Sequence, residues 1–312
     1  MADGSNSNFD AELTDAHDAR GLGDKLRSFA KVNPRFAPDL ARTMLAKRDH
    51  TVVQTFDAHS EKVGYEFTSG WASNNIPFVT PLLRDFAGKR GDAPIRYLEI
   101  GAYEGRNLAF MDWLIPGRLD VTVIDPWFDE ALNPEEKYHA VEPRFHRNMA
   151  KTGFRSMTAR KGFSTYELPR MLAAGEQFDL IYVDGSHTAL AVLIDLCFCA
   201  SLLDVGGMMV LDDYWHDISE IGGPGVKQAV DQFFGAFGRY FEITAVYRQV
   251  ALTKIAPTGP IREALDFRAR YADGRMGSDP AQATPEKGGA LVAQAAKSLI
   301  EDLADFSAET RV

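Results

Sequence analysis

Tyr97-Leu98-Glu99-Ile100-Gly101-Ala102-Tyr103-Glu104-Gly105 carries an apolar strand into an acid and then into a turn punctuated by two glycines. Residues 96–100 supply the strand. Gly101 and Gly105 let the backbone turn close to a ligand, and residues 107–113 continue as a helix whose first amides lack intrahelical partners. Such a turn receives an adenosyl group and a carboxylate, which makes Glu99, Gly101, Tyr103 and Gly105 candidate cofactor contacts. The dinucleotide fingerprint requires G-x-G-x-x-G, and Tyr103 stands where the second glycine belongs, so a nicotinamide or flavin loses support.

Outward from this turn, residues 95 to about 255 alternate short apolar runs with helical patterns, the signature of a parallel sheet wrapped by helices. Strands are expected at 96–102, 121–125, 156–161, 179–184, 207–212, 241–247 and 250–254. The last two are separated by almost nothing, and only an antiparallel hairpin joins strands so closely. The expected fold is therefore α/β: a doubly wound, mostly parallel seven-stranded sheet that ends in an antiparallel hairpin, with an N-terminal helical cap. Composition divides the chain into a disordered tail (1–23), a helical cap and lid (24–93), a cofactor-binding catalytic domain (94–256) and a linker with a C-terminal helix (257–312). Pro34, Pro38, Pro77 and Pro81 mark expected breaks between helices of the cap. In the last region Leu291, Ala295, Leu299, Leu303 and Phe306 are spaced for an amphipathic helix that packs on the domain or on a second subunit.

The 312 residues, 45% of them apolar, can bury a substantial core, and a formal charge of −10 argues against a nucleic-acid partner. One basic stretch, 25–48, holds Lys25, Arg27, Lys31, Arg35, Arg42, Lys47 and Arg48 against Asp39 alone, spaced as solvated helix faces rather than a phosphate site. Cys197 and Cys199 lie in the apolar run 193–203 and read as inert core thiols. No apolar stretch approaches membrane-spanning length and the N-terminus is polar and acidic, so the expected location is the cytoplasm.

Chemistry belongs at the carboxyl ends of the strands, where open α/β sheets bind ligands. The E-x-G-x-x-x-G form of the turn points to S-adenosylmethionine. Asp125 ends the second strand, placed to accept both ribose hydroxyls, with Trp127 near the adenine; the bland alternative is a helix-capping acid. Asp184 ends the strand Ile181-Tyr182-Val183, and the pair Asp212-Asp213 ends its neighbour, so three carboxylates converge at one rim. Like charges held this close repel, and a hard divalent cation such as Mg²⁺ would relieve them. A set of helix caps and exposed strand-end acids is the alternative.

Together, Glu99 to Gly105, Asp125, Asp184 and Asp212-Asp213 resemble the class I S-adenosylmethionine-dependent methyltransferases. The likeness is to the metal-dependent O-methyltransferases typified by catechol O-methyltransferase and the macrolide and aminocoumarin sugar O-methyltransferases, over roughly 69–255. It implies Asp125 on ribose and Asp184, Asp212 and Asp213 on the metal, with Asp184 also bordering the cofactor. The catechol enzyme has Asn where this chain has Asp213, whereas the sugar enzymes have Asp. His187 stands three positions after Asp184, where the catechol enzyme carries its general-base lysine, and a histidine there takes a proton near neutral pH. His216 is the competing base. The resemblance also implies that the segment before the first strand closes over the methionine end of the cofactor, with Asn74 or Asn75 on its carboxylate; Asn75 as a helix N-cap is the alternative. Gly162, Phe163 and Ser164 resemble the adenine-contacting turn.

Trp215, Tyr214, Tyr65 and Trp71 are candidate pocket walls, although large aromatics are more often core. Pro143 is expected to break any helix joining His139 to His146, which leaves both on the surface, and 217–225 has the composition of a lid or a plain loop. The expected activity is O-methylation of a small hydroxylated, phenolic or sugar-bearing molecule by a chain that binds neither nucleic acid nor membrane and can self-associate. The alternatives are a same-fold enzyme of other chemistry, a non-catalytic cofactor-binding partner subunit such as a hydroxylase component, and, weakest, a dehydrogenase.

Overall fold

The computed structural model describes residues 36, 38–39, 49–127, 140–214, 216, 218–219 and 222–258. The chain divides into two units, Met1–Thr258 and Gly259–Val312. The expected tail, most of the basic stretch, His139, Trp215 and the C-terminal helix lie outside the described residues, as does the side chain of Asn74.

Among the described residues, α1 (Thr51–Val63), a 3₁₀ turn (Trp71–Asn74) and α2 (Ile76–Lys89) precede the sheet. There follow β1 (Ile95–Ile100), α3 (Arg106–Leu114), β2 (Leu119–Asp125), α4 (Val141–Met149), β3 (Ser156–Lys161), α5 (Ser164–Ala174) and β4 (Phe178–Val183). Then come α6 (Ala189–Leu202), β5 (Leu203–Leu211), α7 (Val226–Phe237), β6 (Phe241–Val246) and β7 (Val250–Lys254). The sheet has seven strands in the order β3-β2-β1-β4-β5-β7-β6, parallel except where β7 pairs antiparallel with β5 and β6. This is the arrangement expected from the sequence.

Strand character follows position in the sheet. Every residue of the central β4 is buried, as a parallel strand covered on both faces requires. Edge strand β3 is largely exposed and carries Arg160 and Lys161, charges that discourage pairing with another chain. Helix α6, apolar nearly all round, packs between α5 and α7 and buries Leu196, Cys199 and Ala200. It runs into β5 without a loop, and its last carbonyls are taken by a buried lysine: Lys254 Nζ donates to Ala200 O (2.7 Å) and Leu203 O (2.6 Å).

Two prolines stand inside helices where breaks were expected. Helix α2 runs through Pro81, which does not divide the cap, whereas Pro77 stands in its first turn just after the 3₁₀ turn, at the expected boundary. Pro143 lies in the first turn of α4, where a missing N–H costs nothing, and the helix carries on to Met149 past an exposed His146. The strand order reverses between β1 and β4, so ligands belong at the carboxyl ends of these two strands.

Candidate active site

The glycine loop is built by its neighbours. Gly101 has φ +85°, and a Cβ there would stand 1.8 Å from the carbonyl oxygen of Asp184. The glycine is therefore needed for the contact between the β1 and β4 loops, a closer cause than the ligand approach inferred from sequence. Gly105, also left-handed at φ +81°, begins α3, and a Cβ there would meet Met149 Cε at 2.5 Å. Of the four described non-glycine residues with positive φ, Tyr103, Trp127 and Asp213 follow β1, β2 and β5 at the rim, and the fourth, Ala140, precedes α4. Such conformations persist where surrounding contacts impose them.

Asp125 imposes two of them. Its Oδ2 accepts the amides of Ala102 (2.8 Å) and Tyr103 (2.9 Å), and its Oδ1 accepts the amide of Trp127 (2.7 Å). Burial raises its pKa against the pull of these three amides. The Trp127 indole donates to Tyr103 O at 3.0 Å and packs 4.5 Å from the Phe145 ring at 4% exposure. Trp127 is thus a core residue that ties the β1 and β2 loops together.

Glu99 also lies under the loop. At 1% exposure it accepts hydrogen bonds from Tyr97 Oη and from Asn107 Nδ2 (2.9 Å), and burial pushes its pKa up to about 8. Phe163 precedes α5 and is exposed, while the Ser164 hydroxyl bonds Asp195. Asp195, one acid in an apolar helix, is buried with Oδ1 unpartnered, and burial moves its pKa to about 7.

The cap is fastened to this loop. Glu104, itself buried, accepts from the Thr68 amide (2.6 Å) and hydroxyl (2.8 Å). Arg106 reaches Asp57 (2.6 Å) and Ser73 (2.8 Å), and exposed Trp71 packs 5.1 Å from Tyr103. Tyr65 stacks on Phe67. Tyr214 is fully buried edge-on to Phe36, so it belongs to the core and not to a pocket wall.

Beyond the cofactor loop, Asp184, His187 and Asp213 each offer a ligand atom, all within 4.8 Å of one another. His187 Nε2 lies 3.0 Å from Asp213 Oδ2, His216 Nδ1 lies 3.3 Å from Asp213 Oδ1, and the two imidazoles stack with centroids 4.9 Å apart. Burial would raise the Asp213 pKa, but the bonds from His187 and His216 hold it well below the usual range. The hydrogen bond to Asp213 raises His216 in turn. Asp184 is pushed well up by desolvation and then by the charges of Asp212 and Asp213. Two carboxylates and an imidazole at this spacing, with excess negative charge, fit a divalent cation.

Asp212 is held differently from its neighbours. Its carboxylate accepts from Tyr182 Oη (2.5 Å), Gln249 Nε2 (3.0 Å), Asn75 Nδ2 (2.9 and 3.2 Å) and the Asp213 amide (2.7 Å). Burial and the Asp213 charge raise its pKa to about 6. Asn75 stands at the N-cap position of α2, as the alternative reading expects, but its side chain makes no cap; its amide is turned to Asp212. Sequence reading passed over Tyr182, Gln249 and Asp195. A tyrosine in a mostly apolar strand and an acid in an apolar helix were the available signals; Gln249, in a hairpin turn, offered none.

Residues 98–214 match the family model for a methyltransferase domain. Its limits enclose the glycine loop, Asp125 and the whole of the Asp184–Asp213 rim. The structure is similar to that of an assigned O-methyltransferase from Klebsiella pneumoniae (17% identity, TM-score 0.45, 74% of this chain and 99% of that one). It is also similar to MycE methyltransferase of the mycinamycin biosynthetic pathway, solved with Mg, SAH and mycinamycin VI (15%, 0.44, 82% of this chain and 64% of that one). A third is the O-methyltransferase from Bacillus cereus in complex with SAH (13%, 0.42, 73% and 100%). No curated protein matches the sequence. Among the described residues no helix is long and apolar enough to cross a membrane.

Proposed function

We propose that this protein moves the methyl group of S-adenosylmethionine to a hydroxyl oxygen of a small phenolic or sugar-bearing molecule, with a divalent cation, Mg²⁺ by resemblance, at the rim. One observation carries the reading: Gly101 of the glycine loop lies directly against the Asp184 carbonyl, and Asp184 is one of the three groups close enough to share a cation. Donor loop and cation rim are thereby a single packed unit.

Three amides occupy three of the roughly four acceptor sites of the Asp125 carboxylate, so Oδ1 keeps one lone pair for a ribose hydroxyl. Amides at the uncapped start of α3 suit the methionyl carboxylate, and Phe163 and Ser164 are assigned to the adenine. S-adenosylmethionine, when bound, supplies a methyl group on a cationic sulfur. The carboxylates of Asp184 and Asp213 would hold the cation, with the charge of Asp212 beside them. A cation there would supply Lewis acidity to the acceptor hydroxyl.

His187 takes the hydroxyl proton, and the carboxylate of Asp213, 3.0 Å from its Nε2, stabilises the imidazolium. The acceptor oxygen gains the methyl group, the imidazole gains the proton, and the sulfonium charge is lost. Positioning and charge supply most of the rate.

Labelled methyl transfer tests this. The protein is given ¹³C-methyl S-adenosylmethionine and a panel of catechols and hydroxylated glycosides, with Mg²⁺ or with EDTA. Labelled O-methyl product that disappears in EDTA supports the reading; N- or C-methyl product, or O-methylation indifferent to EDTA, counts against it.

A further inference from the structure

We propose that Tyr182 and Gln249 are positioning residues for the cation rim, acting through Asp212; the inference rests on the cation reading above. Tyr182 comes from the central strand β4 and is 3% exposed, and Gln249 comes from the β6–β7 turn and is fully buried. Both direct donors at the same atom, Asp212 Oδ2, and they contact each other as well. The other oxygen, Oδ1, accepts the amide of Asp213, a residue whose backbone is left-handed at φ +53°.

This arrangement links the buried pair to the rim in two steps. Tyr182 and Gln249 fix the rotation of the Asp212 carboxylate, and that carboxylate fixes the backbone that aims Asp213 at His187 and Asp184. Asn75, from the segment ahead of α2, completes the set, so the donors on this one carboxylate come from four separate places in the chain.

A phenol and an amide in these positions must be desolvated, and Gln249 Oε1 is buried without a partner. Phenylalanine and an apolar chain would fill the same space but would leave the buried Asp212 Oδ2 without these two donors, so the pair is tied to that carboxylate. Polar groups that orient ligating side chains are a recurrent part of metal sites, and they tune affinity without touching the ion. The placement also gives the antiparallel hairpin a function, since its turn delivers Gln249 beneath the rim.

The test uses the full chain and Mn²⁺ as the probe, followed by the paramagnetic resonance of the free ion. S-adenosylhomocysteine binding by calorimetry and thermal unfolding are measured in parallel. Tyr182→Phe, which removes a single oxygen, and Gln249→Met should each weaken Mn²⁺ binding about 10–100-fold and leave S-adenosylhomocysteine affinity unchanged. If both variants bind Mn²⁺ as the parent does, with or without a fall in unfolding temperature, the positioning role is overturned and the cation site stands. If Asp184→Asn and Asp213→Asn also leave Mn²⁺ binding unchanged, or the parent binds none, the cation reading fails and this proposal fails with it.

Discussion

Gly101 and Asp184 touch through their backbones: a Cβ on the glycine would stand 1.8 Å from the Asp184 carbonyl oxygen, at a φ of +85° that side chains rarely adopt. Gly206 is a natural control, with φ +81° and nothing within 4 Å of the same position. Gly206→Ala should cost about 1–2 kcal/mol, the price of the left-handed backbone alone. Gly101→Ala carries the clash as well and should cost about 4 kcal/mol or more, or prevent folding. Urea denaturation of the two variants measures the difference; equal losses would mean the β1 and β4 loops separate easily.

The stacked imidazoles predict a division of labour. His187→Ala should lower kcat by about 10²–10⁴-fold with S-adenosylhomocysteine affinity unchanged, and His216→Ala should lower it less. Comparable losses in the two variants would return the choice of base to His216.

Asp213 raises the pKa of His216 above its ordinary 6.5. A group raised in this way adds stability that is complete below the unfolded pKa and is lost as pH rises through the folded one. Asp213→Asn should move the His216 titration downward in an NMR series over the imidazole protons, and should remove that part of the pH dependence. An unmoved titration would mean the 3.3 Å contact carries no charge coupling.

The sequence made the sheet legible almost strand by strand, because apolar runs and turn residues are local signals. The β3 and β7 boundaries were placed at 156–161 and 250–254, where the strands lie, and the short gap before Val250 gave the hairpin. Side-chain direction was less legible. Trp127 follows a strand end just as an adenine-facing aromatic would, and only the packing of Phe145 from a helix further along the chain shows that it points inward. Asp212 and Asp213 are adjacent and chemically alike, yet Tyr182 and Gln249, 30 and 37 residues away, distinguish their roles. Such pairings are set by tertiary contacts that no local pattern encodes.

Asp195 predicts a pH-dependent gain in stability. Its folded pKa of about 7 exceeds the unfolded value of 3.8, so between these limits the unfolded chain releases a proton that the folded protein keeps. Stability therefore falls as pH rises from about 4 to 7, and the full penalty, at most on the order of 4 kcal/mol, applies above pH 7. Asp195→Asn keeps a group able to bond Ser164 and should be more stable than the parent at pH 8, with little difference at pH 4. Unfolding temperatures across that range decide it; a uniform effect at all pH values would contradict the assignment.

Trp127 should behave as a core residue. Trp127→Phe removes the bond to the Tyr103 carbonyl and part of the contact with Phe145, a loss of about 1–3 kcal/mol in urea denaturation. Adenosine affinity of the folded variant should stay close to that of the parent, whereas a selective loss of affinity without loss of stability would restore Trp127 to the adenine.

The central claim is that the glycine loop is a methyl-donor site joined to a cation rim. Calorimetric titration with S-adenosylhomocysteine, with and without Mg²⁺, tests it without knowledge of the acceptor. The account predicts saturable one-to-one binding by the parent and by Asp213→Ala, with Mg²⁺ binding present in the first and lost in the second. No S-adenosylhomocysteine binding, or Mg²⁺ binding that survives Asp213→Ala, would contradict it.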